Sequence, residues 1–355
     1  MTFEEARARY PVLERVAYLN AGTFGPLSIA TVAAMRAELE HDLDAGRFGM
    51  PYIERANDMR AELCGLIAAL VGVEPERVAL TSSTTDGCNI VLAGLDLQPG
   101  DEIVTTTDEH FGLLGPVHAS GARVVVVHPD PASILAAVTL RTRLLAVSQV
   151  LWTTGQVLPV RELRESSGVP ILVDGAQSVG AIPVDARGLD FYTVSGQKWL
   201  CGPGATGALV VADPERLRVG RPSYFAQARH EPDGSFEPRA GAERFQPNWF
   251  PMSSMAGLMA ALGDAPDWRY ERGAVQAERL RELLSGLVEV QTPEDRATLV
   301  SFRPAGDEEP AAVVERLASL DVSVRDLPGR GLVRASVGWW TSDDDLDRLV
   351  AGIVP

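Results

Sequence analysis

The sequence has almost no lysine. Lysine and arginine together number 32 in 355 residues, yet Lys198 is the only lysine, so 31 are arginine. A GC-rich coding sequence explains most of this bias towards arginine. Such a bias retains a lysine only at a position where arginine cannot replace it. Arginine stays protonated and cannot form an imine, whereas a lysine amine with a lowered pKa can. Lys198 is therefore the first candidate for a chemical role.

Cysteine, basic patches and long apolar runs are also scarce. The three cysteines (Cys64, Cys88 and Cys201) have no CxxC or Cys/His spacing, which argues against a metal site or disulfides and favours a cytoplasmic protein. The net charge of −16 disfavours nucleic acid and anionic membranes as partners. No apolar run approaches the roughly 18 residues that span a bilayer, and the acidic N-terminus is not a secretory signal.

From residue 72 onward, short apolar runs alternate with helical patterns. The expected strands are at 78–83, 102–107, 123–129, 144–150, 171–174, 191–195 and 207–212. Strands this apolar are buried on both faces, and helical crossovers between them indicate a mainly parallel sheet covered by helices. Upstream, residues 30–70 have the apolar spacing of a helix.

The pattern changes near residue 255. Expected helices near 253–263, at 270–287, at 309–319 and from 343 enclose several short apolar runs, an order typical of a smaller α+β domain. We expect an α/β large domain over 21–250, a small α+β domain over 251–355, and an N-terminal segment 1–20 that joins the small domain.

Two neighbouring strand ends carry an acid and the lysine. Asp174 ends the run ILVD, and the next strand, FYTVS, leads through Ser195 and Gln197 to Lys198. The carboxyl edge of a parallel sheet is where ligands bind, and a carboxylate there can keep a pyridine nitrogen protonated. An isolated aspartate in this position is more often a helix N-cap. Because the only lysine lies one strand away, we expect Asp174 and Lys198 to face one cleft.

Three motifs, DGAQ, then SGQKW with Lys198 24 residues after Asp174, then GPGATG, resemble the class V aminotransferase family of fold-type I pyridoxal-5′-phosphate (PLP) enzymes. That family includes cysteine desulfurases, isopenicillin N epimerase-like proteins and hercynylcysteine sulfoxide lyases. The resemblance extends from YLNAGTFGP at 18–26 to RASVGWWT at 334–341. It implies PLP as cofactor, an amino acid as substrate and a homodimer. It makes Lys198 the Schiff-base lysine, Asp174 the partner of the pyridinium nitrogen, and Gln177 a contact of the phenolic oxygen or of the lysine side.

The segment TSSTTDG at 81–87 lies between a strand and an apolar helix. Hydroxyls and backbone N–H groups at a helix start can hold a phosphate, although Ser/Thr helix caps are common. The resemblance makes Thr84 and Thr85 phosphate ligands, joined by Ser195 and Gln197.

Three further roles follow from the resemblance. His110, in DEHF, matches a histidine stacked on the pyridine ring, where it can also move protons. Arg334, in VRASVG, matches the arginine that grips the substrate carboxylate with its planar fork. Asn20, in YLNAG, is expected beside the substrate.

The sequence departs from the family in three places. Residues 321–333 contain no cysteine, which predicts that the chain is not a persulfide-forming cysteine desulfurase. Desulfurases carry an asparagine that contacts the phenolic oxygen of the cofactor. This chain has LWTTG at 151–155 instead, and Gln149, Thr153 and Thr154 are the alternatives for that contact. The stretch 243–250 lacks the threonine through which a neighbouring subunit touches the phosphate, so residues 245–255 either reach the partner or cover their own domain.

Two further motifs have simpler interpretations. GPGATG at 202–207 fits GxGxxG, but a strand follows it instead of a helix, which disfavours a dinucleotide site and a nicotinamide dehydrogenase. The run 343–345, three aspartates, resembles a metal cluster but is more typical of a helix start capped by Ser342.

The chemistry expected of Lys198 and Asp174 begins with removal of the substrate α-proton. A C–S lyase acting on a cysteine conjugate or an aminotransferase is the favoured outcome, because the 18–26 and 150–159 segments resemble the sulfoxide lyase and epimerase branches. An epimerase is the alternative enzyme. A non-catalytic protein with the same fold would have lost the lysine or the aspartate, and both are present.

Overall fold

A computed structural model describes residues 1–353. The strands are β1 (Ala17–Tyr18), β2 (Val78–Thr81), β3 (Glu102–Thr106), β4 (Arg123–Val127), β5 (Thr142–Ser148), β6 (Ile171–Asp174), β7 (Phe191–Ser195), β8 (Gly207–Val211), β9 (Gln227–His230), β10 (Phe236–Pro238), β11 (Glu289–Val290), β12 (Leu299–Arg303), β13 (Val322–Ser323), β14 (Arg325–Leu327) and β15 (Leu332–Ser336). The helices are α1 (Phe3–Arg7), α2 (Ile29–Ala45), α3 (Gly49–Val71), α4 (Thr84–Gly94), α5 (Phe111–Ala119), α6 (Pro131–Ala136), α7 (Val160–Ser167), α8 (Met252–Asp264), α9 (Arg269–Leu284), α10 (Pro310–Ser319) and α11 (Asp343–Ile353).

The seven expected strands form one sheet in the order β2-β8-β7-β6-β5-β3-β4. All are parallel except β8, which runs antiparallel to both neighbours. Successive residues point to opposite faces, so Val173 packs under α3 and α7 while Leu172 packs under α4 and α5. Each such side chain contributes roughly 1.5–3 kcal/mol on burial. The predicted mainly parallel, helix-covered sheet is confirmed.

The predicted helix over 30–70 is in fact two helices, α2 and α3. The chain leaves α2 at Gly46, where φ is 77°. That backbone conformation costs glycine little and other residues more. The apolar spacing continues through both helices, so periodicity alone does not locate the break.

The C-terminal part contains a four-stranded antiparallel sheet, β11-β12-β15-β14, packed with α9, α10 and α11. The N-terminal β1 pairs in parallel with β13 of this part. Met255 and Leu258 of α8 belong to the core beneath the large sheet, and the expected boundary at 250/251 stays a prediction. No helix within residues 1–353 has the length and apolar character needed to cross a membrane.

At the start of α11 the run of aspartates is a capped helix turn. Ser342 Oγ accepts a hydrogen bond from the backbone N–H of Asp345 at 3.2 Å. Asp345 pairs with Arg7 and Asp343 with Arg279. The predicted cap is confirmed, and two of the three carboxylates are engaged with arginine.

Candidate active site

Strand register brings the candidate residues to one edge of the large sheet. Ser148 of β5 pairs with Asp174 of β6, and Asp174 pairs with Thr193 of β7. Ser195, at the end of β7, lies opposite Gly207 of β8, which in turn lies opposite Thr81 at the end of β2. The loops that follow β2, β5, β6 and β7 therefore open into the same cleft.

Asp174 is buried in this cleft, with one carboxylate oxygen engaged. Its Oδ1 accepts hydrogen bonds from the backbone N–H of Ala176 at 2.9 Å and from the Thr193 hydroxyl at 3.3 Å. Oδ2 accepts none from the described residues. The bond from Ala176 is local, as the helix-cap interpretation expects. The bond from Thr193 joins β6 to β7 and fixes the orientation of the carboxylate. Because both bonds go to Oδ1, Oδ2 stays available.

Lys198 lies in the turn after β7. Burial lowers the pKa of its amine to about 8, the charges of Arg334 and Arg325 act in the same direction, and Asp174 opposes them. At neutral pH an amine with a pKa near 8 has a much larger neutral, nucleophilic fraction than an ordinary lysine, although most of it is still protonated. The turn is held from the N-terminal side by the backbone N–H of Gly25, which donates to Gln197 O at 2.8 Å.

The first turn of α4 faces the same edge. Thr84 and Thr85 are its first two residues, and their backbone N–H groups have no partner inside the helix. Ser83 caps the helix by accepting from the N–H of Asp86. Ser195 is buried at the neighbouring strand end, and the buried Oε1 of Gln197 has no hydrogen-bond partner in the described chain. This donor-rich helix start suits a phosphate.

His110 caps the N-terminus of α5 and contacts an aromatic residue that the sequence did not single out. Its Nδ1 accepts from the Gly112 N–H at 3.0 Å, and its ring meets that of Trp152 edge-on, with centroids 5.2 Å apart. Burial and the nearby charge of Lys198 lower the pKa of His110. His110 is still exposed, and its stacking on the pyridine ring stays a prediction.

Beside His110, the carboxylate of Glu109 is buried. It accepts hydrogen bonds from the Thr106 hydroxyl and from both the N–H and hydroxyl of Ser148. Burial raises the pKa of Glu109 to about 7, although these hydrogen bonds oppose the rise. Glu109 thus links the ends of β3 and β5 beneath His110.

Gln177 lies in the cleft wall with both ends of its amide engaged. Nε2 donates to Gly22 O at 2.9 Å, and Oε1 accepts from the indole N–H of Trp199 at 3.0 Å. These bonds tie the N-terminal turn to the residue after Lys198. The expected contact with the lysine side therefore runs through Trp199, and contact with the phenolic oxygen stays a prediction.

Arg334 is completely buried and has no acidic partner among residues 1–353. Its Nη1 donates to Trp152 O at 2.8 Å, whereas Nε and Nη2 have no partner. Burial lowers the pKa of Arg334 to about 9, and the charge of Arg325 adds to the effect. A buried cation with two free N–H groups is costly unless an anion completes it.

Arg325 lies directly opposite Arg334 on β14 and β15, a pair that the sequence analysis missed. Like charges directly opposite one another destabilise a sheet. Arg325 lies 6.0 Å from the Trp152 ring centroid and donates to Thr23 Oγ1 at 3.4 Å. The turn LPGRG between the strands would have suggested this pairing.

Asn20 lies in the N-terminal turn beside the two arginines. It forms a bridge to Ser336, and its Oδ1 accepts from the Thr23 hydroxyl at 2.9 Å. Gly22 of the same turn is so close to Arg334 that a Cβ atom there would lie 2.6 Å from Nη2. The turn therefore closes the arginine end of the cleft.

In residues 245–255, Phe245, Phe250, Met252 and Met255 are buried in their own chain. Trp249 is 39% exposed and stacks on Tyr52, and Asn248 is exposed. Only the middle of the segment therefore faces outward.

Family comparisons agree with this geometry. The family model Aminotransferase class-V matches residues 28–349, so the chain belongs to the class V aminotransferase family. A solved C-DES mutant with glycine covalently linked to its PLP cofactor has a TM-score of 0.91 at 28% identity, covering 98% of both chains. The complex of the cystine C–S lyase C-DES with its reaction product cysteine persulfide has a TM-score of 0.90 at 28% identity, covering 97% and 98%.

Curated relatives have two different activities. An isopenicillin N epimerase of Streptomyces clavuligerus is 29% identical and aligns with 98% of this chain and 96% of its own. A cysteine desulfurase of Serratia proteamaculans (strain 568) is 28% identical and aligns with 99% and 97%. The chain is a PLP-dependent enzyme with the fold-type I architecture.

The expectation that the chain is not a persulfide-forming cysteine desulfurase is wrong. Cysteine desulfurases align with 99% of it, and C-DES is similar over nearly the whole chain. The expectation rested on one missing cysteine near residues 321–333. Breaking a carbon–sulfur bond depends on electron withdrawal by the cofactor, so a loop without a thiol does not exclude sulfur chemistry.

The cleft residues fit PLP. Lys198 offers an amine of lowered pKa, Asp174 a free carboxylate oxygen, and the start of α4 free backbone N–H groups. Arg334 offers two free donors at the other end. The donor set therefore separates into a phosphate end and a carboxylate end.

Proposed function

We propose that this enzyme is a C–S lyase that acts on cystine or another cysteine conjugate. The observation that carries the proposal is the opposed pair Arg325 and Arg334, two guanidinium groups without acidic partners in the described chain. Such a pair suits a substrate rich in carboxylate, and cystine carries two. The similarity to the cystine C–S lyase C-DES supports the same choice.

Each chain residue has a role in this proposal. Bound PLP supplies an electron sink through its protonated ring. Asp174 Oδ2 would hold the proton at the ring nitrogen, and Lys198 would be the attachment point of the cofactor. Lys198 Nζ then takes the α-proton, while Arg334 holds the carboxylate and so fixes which bond faces the amine.

Thr84, Thr85, Ser195 and Gln197 hold the phosphate in this proposal, and His110 covers the ring. Elimination breaks the Cβ–Sγ bond, and the sulfur leaves as a thiol or, from cystine, as a persulfide. Addition of one water then gives pyruvate and ammonia. His110 has a lowered pKa, so its neutral imidazole is suited to lie against the ring without competing with Asp174 for the proton.

The proposal is tested by incubating the holoenzyme with cystine, cysteine, a cysteine S-conjugate and glutamate. We expect one pyruvate and one ammonia per cystine consumed. Alanine as the carbon product would mean desulfuration, and accumulation of the pyridoxamine form would mean transamination; either result would replace the proposal. The Lys198→Ala variant is the matched control for reaction in free solution.

Epimerisation is the second candidate, because the Streptomyces clavuligerus relative aligns over 98% of this chain. It begins with the same proton removal but returns the proton to the other face. Deuterium uptake at the α-carbon without pyruvate would favour it over elimination.

We further propose a homodimer. Phe24, Ile29, Leu43, Phe48 and Met50 are large apolar side chains more than half exposed, and such a concentration is typical of an interface. In this proposal Trp249 and Asn248, two exposed residues of the 245–255 segment, reach the partner. Light scattering tests the dimer, and a stable active monomer would refute it. Mixed dimers of Lys198→Ala with a variant lacking 247–249 should regain activity if the segment acts in trans.

A further inference from the structure

A second cavity lies at the β2 edge of the large sheet, outside the cleft. It has a volume of about 450 Å³ and is enclosed by α3, the start of β2 and the segment 239–246. None of the candidate cofactor or substrate residues lines it. Apolar side chains form part of its wall, those of Ala61, Cys64, Val78 and Phe225. A cavity of this size can surround most of a small molecule.

Arg60 of α3 is the charged group that gives this cavity a chemical preference. It is only 8% exposed. Within residues 1–353 its guanidinium has no salt bridge, its Nε has no partner, and its one hydrogen bond is a long one from Nη1 to Asn57 Oδ1 at 3.4 Å. Burial lowers the pKa of Arg60, and the charge of Arg239 acts in the same direction. A buried guanidinium of this kind is costly until an anion binds it.

The other charged groups around the cavity limit the charge of that anion. Arg239 is already paired with Glu243 at 3.3 Å, and Glu243 also opposes the lowering of the Arg60 pKa. Glu76 adds a second, exposed carboxylate to the lining. Two carboxylates repel a polyanion such as a nucleotide, whereas a single carboxylate can be held by the unpaired N–H groups of Arg60. These charges therefore favour a monoanion.

The ring of Phe225 indicates what the carboxylate is attached to. Arg60 lies over this ring, with Cζ 5.0 Å from the centroid, so an apolar group bound beside the guanidinium can pack against the same ring. The amide of Gln246, which also lines the cavity, is engaged at both ends. Its oxygen accepts from the Leu80 N–H at 3.2 Å, and its nitrogen donates to Cys64 Sγ at 3.8 Å. Arg60 is therefore the polar anchor of the site.

We propose that this cavity is a second ligand site, which binds a small organic carboxylate with an apolar body through the guanidinium of Arg60. Phe225 also packs against Trp249, with centroids 5.3 Å apart, so the cavity adjoins the 245–255 segment proposed to meet the partner subunit. The depth of Arg60 favours a ligand that enters the cavity over a partner surface that lies across it. The proposal does not depend on which reaction the cleft catalyses.

The test is a fluorine NMR titration of the holoenzyme with 4-fluorobenzoate. It is done in the Arg334→Met variant, which lacks the buried guanidinium of the cleft. We expect a Kd of about 1 mM, typical of so small a ligand. Adding Arg60→Met should weaken binding about 10-fold to 100-fold, the effect of losing a hydrogen bond to a charged group. The uncharged 4-fluorobenzamide should bind as weakly before Arg60 is replaced as 4-fluorobenzoate does afterwards.

Two further variants, made in the same background, complete the test. Arg77→Met removes an exposed arginine beside the cavity and should leave the affinity unchanged. Ala61→Phe fills the cavity from an exposed position of α3 while it retains Arg60. It should abolish binding, and it keeps the test available if Arg60→Met does not fold.

Three results would overturn the proposal. The first is an affinity for 4-fluorobenzoate that neither Arg60→Met nor Ala61→Phe changes, and the second is no binding at millimolar concentrations. The third is dissociation of a dimer by Arg60→Met, seen by light scattering, because it would assign the guanidinium to the partner subunit. Binding is read without turnover, so failure of C–S lysis leaves this test intact.

Discussion

Replacing Arg334 with methionine should change activity and stability in opposite directions. The guanidinium is completely buried, and two of its N–H groups are unpaired. Its pKa is lowered to about 9 from 12.5, which corresponds to about 5 kcal/mol for holding the charge in this buried position. Methionine removes that charge, so we expect the free energy of unfolding of the substrate-free enzyme to rise by about 1 kcal/mol or more.

If Arg334 holds the substrate carboxylate as proposed, the same variant loses two charged hydrogen bonds, each worth about 1.5–3 kcal/mol. We therefore expect kcat/KM to fall by about 100-fold to 10,000-fold. Steady-state kinetics and urea unfolding of the same preparation measure both effects. Arg303→Met is the matched control, because Arg303 is half-exposed on the neighbouring strand β12 and pairs with Glu289. Loss of stability together with loss of activity would show that Arg334 has only a structural role.

Four other outcomes follow from the cleft. Lys198→Ala should abolish covalent cofactor trapped by borohydride, and any cofactor still on a side chain would refute the assignment. Asp174→Ala should retain PLP but slow α-proton exchange by orders of magnitude, measured by deuterium uptake; near wild-type exchange would place the nitrogen partner elsewhere. Cofactor attachment to the apoenzyme should accelerate as pH rises through about 8, because Lys198 is protonated below that pKa and neutral above it; a rate independent of pH would contradict this. The pKa of Glu109 is raised from 4.5 to about 7, so its contribution to stability is present at acid pH and lost as the pH rises through about 7. Urea unfolding at a series of pH values should therefore show wild type losing stability relative to Glu109→Gln as the pH rises from 4.5 to 7. Parallel stability curves for the two proteins would count against this prediction.

The sheet was predictable from the sequence because its strands are buried on both faces. Runs such as ILVD and FYTVS contain almost no polar residue, and the structure has β6 and β7 at those positions. The break between α2 and α3 was not predictable from periodicity, since the apolar pattern continues across it. It depends on the backbone at Gly46, and a single glycine in a helical pattern is an ambiguous signal.

The candidate site residues also include some that the sequence predicts and others that it misses. Lys198 and Asp174 were found because they lie at or just after the ends of buried strands and because lysine is otherwise absent. Trp152 and Glu109 were missed because their importance comes from neighbours distant in sequence, such as His110 for the first and Ser148 for the second. An isolated tryptophan or glutamate in a loop has many ordinary explanations.

The arginines give the sharpest contrast between composition and geometry. Among 31 arginines, composition cannot single out any one, and most of those described pair with a carboxylate or a backbone carbonyl. Arg325 and Arg334 differ because β14 and β15 place them directly opposite each other, and neither finds an acid. A fold that holds two like charges in register gains nothing from them until an anion binds. In the proposed function, the unpaired donors of Arg334 hold the substrate carboxylate, at the end of the cleft opposite the phosphate donors proposed for α4.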